Sequence, residues 1–224
     1  MERREAARAL GRMGASSATN ALLDASEHAA DRFEEHAIRY ALIELADNDA
    51  LIEALNERGD WSAREAALVA LDQLGDQRLE PGTILSFLQS DSIEARQTSL
   101  WVAARHPEWS EDLVEGVDAL IRHPGADERV TALALEALHA FTDSPAAQRY
   151  IASRITESAA ASDERLVFLG FVDRSTLSDV PETWREALRA CLSGNDEALR
   201  WKALQIVDSR AVESLYGILA DIAN

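Results

Sequence analysis

Apolar residues recur every three or four positions along almost the whole chain, which is the spacing of an amphipathic α-helix. Alanine, leucine and isoleucine mark one face in this way over residues 37–45 and again over residues 63–74. Strict alternation of apolar and polar residues, which would indicate a β-strand, is hard to find in any window of strand length. The pattern therefore predicts an all-α fold.

Helix-breaking residues divide the apolar pattern into segments. All five prolines lie between apolar segments or at their starts, where proline is tolerated, and several glycines mark turns in the same way. Asp60, Asp91, Ser162 and Asn195 precede apolar segments and suit helix N-caps. We predict about thirteen helices and one further short helix, over residues 2–13, 16–29, 32–46, 48–58, 61–74, 82–89, 92–105, 109–122, 126–141, 145–158, 162–172, 181–193, 195–207 and 211–222.

The predicted helices repeat along the chain. Similar helix ends read AARALGRMG at 6–14, ALIELAD at 41–47 and ALDQLGD at 70–76. Arginines near the start of alternate helices are spaced 32, 33, 36 and 35 residues apart, and each follows an acidic residue in the preceding turn. These acid and arginine pairs are Asp60 and Arg64, Asp91 and Arg96, Asp127 and Arg129, Asp163 and Arg165, and Asp196 and Arg200.

The paired residues predict a device that joins successive repeats. An aspartate in the turn can accept hydrogen bonds from the free N–H groups that begin the next helix. The arginine one turn later can then pair with that carboxylate or with the carboxylate of the neighbouring repeat. We expect a series of such pairs to tie the helical hairpins together.

This repeat pattern resembles the HEAT family, and in particular its bacterial HEAT-like branch of the phycobilisome-lyase type. The resemblance rests on WSAREAALVALDQLGD at 61–76 and SDERLVFLGFVD at 162–173, each preceded by a short helix such as ALIEAL at 50–55. It implies a single α–α superhelix over residues 1–224, built from about six to seven helical hairpins. Residues 173–180 depart from the pattern with a longer linker, so we expect an irregularity there.

A narrower resemblance points to a larger protein. FEEHAIRYALIEL at 33–45, REAALVALDQL at 64–74 and RHPEWSEDL at 105–113 are similar to the HEAT-like segment of large exported bacterial proteins that also carry a sugar-dehydrogenase-like propeller and a c-type haem domain. This chain has no C-x-x-C-H haem site and no propeller repeat. The resemblance implies a spacer or docking segment of a longer chain, and the half-repeat at each end suggests the same unless these helices are simply caps.

Composition and charge narrow the function further. There are 40 acidic and 22 basic residues, which gives a formal net charge of −18, and such a field disfavours non-specific binding of nucleic acid. No secretory signal begins the chain, and no apolar segment approaches the roughly 20 residues that cross a bilayer. A single cysteine excludes a disulfide scaffold but leaves the compartment, bacterial cytoplasmic or exported, open.

The sequence offers few residues or motifs that indicate catalysis, metal binding or cofactor binding. The sequence contains no H-E-x-x-H, no G-x-S-x-G and no glycine-rich phosphate loop. His28, Asp31 and His36 make a metal site conceivable, but we expect no metal and no cofactor. Cys191 lies on an apolar helix face and is expected in the core, as is the histidine at 139.

The five tryptophans have two possible roles. Trp101, between two apolar residues, is expected mostly in the core. Trp61, Trp109 and Trp184 stand at predicted helix starts, where they either staple a helix against the next repeat or serve as exposed binding anchors.

We therefore expect a non-catalytic scaffold that binds a protein or peptide along a concave wall formed by the second helix of each hairpin. The candidate partner-binding residues on that wall are Arg39, Glu65, Gln73, Arg96, Arg129 and Arg200. Because of the net charge, the partner is expected to be basic or neutral. The alternatives are a structural spacer without a partner, and a HEAT-like enzyme of the lyase or DNA glycosylase type.

Overall fold

The structure, a computed structural model, describes the backbone of residues 2–123, 125 and 127–223. All regular elements within these residues are helices, and no strand occurs among them, which confirms the predicted all-α class. The helices are α1 (Glu2–Met13), α2 (Thr19–Ser26), α3 (Arg32–Leu45), α4 (Asn48–Glu57), α5 (Trp61–Leu74), α6 (Pro81–Leu88), α7 (Ile93–Ala103), α8 (Ser110–Ile121), α9 (Glu128–Ala140), α10 (Pro145–Thr156), α11 (Ser162–Arg174), α12 (Glu182–Ser193), α13 (Glu197–Ser209) and α14 (Tyr216–Ala223).

The helices begin and end for local reasons. The side chains of Asp60, Asp127 and Asp196 accept hydrogen bonds from backbone N–H groups at the starts of α5, α9 and α13, which confirms their predicted capping role. Gly75 ends α5 in the left-handed region at φ 65°, where a residue without a Cβ is favoured. The predicted linker at 173–180 begins slightly later, because α11 continues to Arg174.

The chain divides into two compact units, residues 1–102 and residues 103–224. In the first unit α2 pairs with α3 and α4 pairs with α5, while α1, α3 and α5 pack side by side. We call α1, α3, α5 and α7 the second helices of this unit, because α7 joins their layer through a hydrogen bond from Thr98 to Glu65 of α5. Leucines and alanines, such as Leu23, Ala41 and Leu68, fill the space between the helices and are inaccessible to solvent.

The second unit repeats this arrangement. Helices α8, α10 and α12 are the first helices of hairpins whose second helices are α9, α11 and α13. Trp184 of α12 is fully buried and donates its indole N–H to the carbonyl of Gln148 on α10, 3.0 Å away. In the second layer, the ring of Phe171 on α11 lies 6.0 Å from that of His139 on α9. Each unit is thus a double layer of helices with the core between the layers.

Candidate functional site

Exposed apolar side chains concentrate on the second helices. Eight large hydrophobic residues are exposed in the described part of the chain, and seven of them lie on these helices. The seven are Met13, Phe33, Tyr40, Ile93, Trp101, Val167 and Trp201, whereas the eighth, Tyr216, begins α14. We call the outward side of the second helices in each unit its second-helix face.

The second-helix face of the first unit carries an open groove of about 430 Å³ between α1 and α3. Tyr40, which is 52% exposed, stands in one wall of the groove. The remaining lining consists of Glu5, Arg8, Arg12, His36, Ala37 and Glu44. Basic, acidic and aromatic groups therefore meet in one groove, a composition that suits contact with a peptide.

Gly11 allows α1 and α3 to approach closely beside this groove. A Cβ atom on Gly11 would lie 3.0 Å from the Cα atom and 3.2 Å from the Cβ atom of Ala41. It would also collide with the carboxylate of Glu44, which covers Gly11. The glycine thus sets the distance between the two helices that line the groove.

Two of the predicted partner-binding residues contact each other. Arg39 of α3 lies 3.2 Å from the Glu65 carboxylate of α5, and Glu65 also accepts a hydrogen bond of 3.0 Å from Thr98 of α7. Three successive second helices are joined by these contacts. Arg39 and Glu65 are half-buried, with about a quarter of each side chain exposed, so they link the helices of the layer as well as forming part of its surface.

The arginines of the sequence repeat reach inward within their own hairpins. Arg64 donates its Nε–H to the carbonyl of Leu55 at 2.9 Å, and Arg165 donates to the carbonyl of Ile155 at 2.7 Å. Arg200 donates from Nη2 to the carbonyl of Gly194, the residue that follows α12. Each acceptor lies at the C-terminal end of the preceding first helix, where carbonyls lack a partner within the helix.

This contact corrects the predicted pairing of each arginine with the carboxylate of its own turn. The physical reason is geometric: the Asp60 carboxylate faces the backbone N–H groups that begin α5, while the Arg64 guanidinium extends back to the carbonyl of Leu55. The neighbouring repeat contributes at one site, where Asp196 accepts a hydrogen bond from Ser162 of α11. That bond and the backbone N–H of Leu199 lower the pKa of Asp196, with a smaller contribution from nearby Arg165.

The other members of the repeat are placed differently. Ser92, rather than Asp91, accepts the backbone N–H of Ala95 near the start of α7. Asp163 is exposed within the first turn of α11, where it caps nothing. Of the remaining candidate residues, Gln73 and Arg129 are exposed and Arg96 is half-buried.

On the second-helix face of the second unit, helical spacing aligns three exposed stripes. On α13 the stripe is Glu197, Trp201, Gln205 and Asp208, and on α11 it is Asp163, Val167 and Arg174. Glu128, Ala132 and Glu136 form the stripe of α9. Trp201 is 63% exposed, and the amine of Lys202 beside it lies 2.6 Å from the Asp173 carboxylate of α11.

A polar network lies on the first helices of the second unit. The hydroxyl of Tyr150 donates to Asp118 at 2.7 Å, and Arg122 pairs with the same carboxylate. Burial, together with this hydrogen bond, raises the pKa of Tyr150. Arg154 has only 6% of its side chain exposed, pairs with two glutamates and lies 5.3 Å above the ring of Phe168. Arg122, Arg154 and the two glutamates that pair with Arg154 line a shallow pocket of about 390 Å³.

The tryptophans divide between core and surface differently from the prediction. Trp101 is 41% exposed, so its predicted core position is wrong. Residues adjacent in a helix point about 100° apart, so its buried neighbours Leu100 and Val102 do not bury Trp101. Trp184 staples α12 to α10, and Trp109 stacks on the ring of His106 at 3.8 Å. Trp201, which the sequence did not single out, is the more exposed of the two surface tryptophans.

Groups that would support catalysis or metal binding are scattered. Cys191 is 2% exposed, as predicted for a core thiol, and burial raises its pKa. His139 is only half-buried, and its Nδ1 atom makes no hydrogen bond within the described residues, so the predicted core position is wrong. No group of three or more His, Cys, Asp or Glu side chains able to hold a metal ion occurs in the part of the chain that the structure describes.

A helix that crosses a bilayer needs about 20 mostly apolar residues. Among the described residues, no helix combines the length and the apolar character needed to cross a bilayer.

Comparison with known proteins adds one finding. Residues 2–28, which contain α1 and α2, match the family model of the PBS lyase HEAT-like repeat. No curated protein matches the chain. The repeat match and the layered helical hairpins together support a HEAT-like repeat family for this chain, which is a helical-repeat scaffold in its fold.

Proposed function

We propose that the chain is a non-catalytic interaction scaffold that binds a protein or peptide along its second-helix faces. One observation carries the proposal, namely that seven of the eight large hydrophobic residues exposed in the described part of the chain lie on the second helices. Exposed apolar groups cost free energy in an isolated soluble protein, and clusters of them mark interaction surfaces. Helical-repeat proteins use one layer of helices in this way.

The composition of the faces supports the same proposal. Tyrosine, tryptophan and arginine are the residue types that dominate binding energy at protein interfaces. Tyr40 lies beside Arg8 and Arg12 in the groove of the first unit, and Trp201 is exposed on the second unit. The net charge of −18 favours a basic or neutral partner and disfavours nucleic acid.

The proposal is tested by selecting peptides from a randomised display library against the immobilised protein. Selected peptides are then titrated against the wild type, Tyr40→Ala, Trp201→Ala and the matched control Tyr216→Ala. We expect Tyr40→Ala or Trp201→Ala to weaken binding by about tenfold or more, as interface anchors do, and Tyr216→Ala to change it less than about twofold.

Two outcomes would count against the proposed function. Peptides whose binding depends on Tyr216 and not on Tyr40 or Trp201 would place the interaction at α14, outside the second helices. A library that yields no peptide above background would favour a structural spacer over an interaction scaffold.

A further inference from the structure

We infer that the second-helix face of the second unit binds a lysine- or arginine-rich segment of a partner protein, with Trp201 as the anchor for one cationic side chain. This inference rests on the proposed function and names the chemistry of the partner. It is carried by the exposed tryptophan together with the charges around it.

Most of the basic side chains on this face contact other groups of the same chain. Arg165 and Arg200 donate to carbonyls at the ends of the first helices. The guanidinium of Arg174 lies 5.9 Å from the centre of the Phe171 ring. Lys202 pairs with Asp173 at 2.6 Å. Four of the cations on the second helices are therefore occupied by groups of the same chain.

Several acidic side chains on this face, by contrast, have no ion-pair partner within the described residues. Five exposed carboxylates on these helices make no ion pair within the described residues: Glu128, Glu136, Asp163, Glu197 and Asp208. Two of them, Glu197 and Asp208, lie on the same stripe of α13 as Trp201. Counted over α9, α11 and α13, seven acidic residues face five basic ones, Arg129 included, so the face carries a net negative charge that complements a cationic partner.

Trp201 supplies the aromatic ring of the proposed binding site. Tryptophan is the aromatic side chain that binds an ammonium or guanidinium group most strongly over its ring. Trp201 is 63% exposed, and Val167, 43% exposed, lies on the neighbouring helix α11. Val167 is the sixth residue of α11 and Trp201 the fifth residue of α13, and the two helices pack together, so these side chains occur within about one turn of the same level. The apolar stem of a lysine or arginine can cover such a pair while its charged end stays near the carboxylates.

The first unit differs in this respect, which makes the assignment specific. Its four second helices carry as many basic as acidic residues, eight of each, and several of these acids are paired: Glu5 lies 3.0 Å from Arg8, Glu34 lies 2.7 Å from Arg3, and Glu65 pairs with Arg39. We therefore assign the cationic partner segment to the second unit and not to the groove beside Tyr40.

The test uses three synthetic peptides of equal length, about fifteen residues, that carry about five Lys or Arg, five Gln or five Glu at the same positions. Fluorescence anisotropy measures their binding to the full chain at moderate ionic strength. We expect the basic peptide to bind at least about tenfold more tightly than the neutral one, and the acidic peptide not to bind.

Variants separate the specific site from general attraction to an acidic protein. Trp201→Ala and the double variant Glu197→Gln/Asp208→Asn should each weaken the basic peptide by about fivefold or more, while Trp201→Phe retains part of the binding. The matched control is Glu111→Gln/Asp112→Asn, which removes two exposed charges from the first helix α8 and should change binding less than about twofold. Circular dichroism checks that each variant is folded.

Three results would overturn the inference: no binding of the basic peptide, equal binding of the acidic peptide, or equal losses in the α8 control and the α13 double variant. The proposed function is judged separately by the display selection. Selected peptides that bind the second-helix faces but carry no basic residues would leave the proposed function standing and refute the cationic partner.

Discussion

Arg64 joins the two helices of its hairpin by donating its Nε–H to the carbonyl of Leu55, 2.9 Å away at the end of α4. Its guanidinium also lies 4.7 Å from the centre of the Phe87 ring of α6. One side chain of α5 thus contacts both the preceding helix and the following one. Arg165 makes the equivalent Nε contact and Arg200 reaches the carbonyl of Gly194, just after α12, through Nη2, so three of the five arginines in the sequence register mark a structural joint of the repeat.

The first prediction concerns this joint. Arg64→Ala removes the donor to the Leu55 carbonyl and the contact with Phe87, so we expect the free energy of unfolding to fall by about 1–2 kcal/mol. Arg129→Ala is the matched control, because Arg129 holds the same register but its exposed side chain makes no contact of this kind among the described residues. Urea unfolding followed by circular dichroism measures both variants. Equal losses would show that the carbonyl contact contributes nothing.

The second prediction concerns the close approach of α1 and α3. In Gly11→Ala the new Cβ must displace the Ala41 backbone and the Glu44 carboxylate, so we expect a loss of about 1–3 kcal/mol despite the better helix propensity of alanine. Gly170→Ala is the control, since its Cβ would meet only Arg174 at 3.6 Å, an ordinary contact. That variant should gain up to about 1 kcal/mol. The two substitutions must differ in sign in thermal or urea unfolding.

The third prediction is a pH dependence. The guanidinium and backbone N–H of Arg78, with the amide of Asn48, hold the pKa of Asp76 well below its usual range. A carboxyl whose pKa is lower in the folded state stabilises the fold above its unfolded pKa of about 3.9 and loses that contribution as pH falls below it.

Asp76→Asn removes this titration. We expect the wild type to exceed the variant in unfolding free energy by a constant margin above about pH 5, and this margin to shrink as the pH falls below about 4. Urea unfolding at a series of pH values from neutral downwards measures the margin. A margin independent of pH over this range would contradict the assignment.

The fourth prediction distinguishes two tryptophans. Trp184→Phe leaves the Gln148 carbonyl without its donor and creates a cavity at a fully buried position, so we expect a loss of about 2–3 kcal/mol. Trp201→Phe changes a side chain that is 63% exposed and should cost less than about 0.5 kcal/mol. A large loss at Trp201 would mean that this residue supports the fold instead of a partner.

Local signals explain why most helix boundaries could be predicted from the sequence. Helices α1 and α5 occupy the predicted residues 2–13 and 61–74, because capping residues and left-handed glycines lie next to the apolar pattern. The predicted helix at 16–29 begins instead with a short 3-10 turn and ends at Ser26. Its end is set from a distance, since Arg3 of α1 donates to the carbonyls of Ala25 and His28.

The exposed residues of the candidate site were harder to predict from the sequence than the helix boundaries. The helical period identifies the second helices, but it does not tell which side of a helix a neighbouring hairpin covers. Trp101 and Trp201 therefore could not be separated from the buried Trp184, which depends on Gln148, 36 residues away. A signal was present in the spacing of Glu197, Trp201, Gln205 and Asp208, a mostly polar stripe that contains one tryptophan.

The most direct test of the central claim is photo-crosslinking from two positions on the second helices and from one position outside them. Benzoylphenylalanine replaces Tyr40, Trp201 or Tyr216 in turn, and each protein is irradiated with a display-selected peptide and analysed by mass spectrometry. The account predicts crosslinks from position 40 or 201, on the second helices, and none above background from position 216. Crosslinking from position 216 alone, or equally from all three positions, would contradict it.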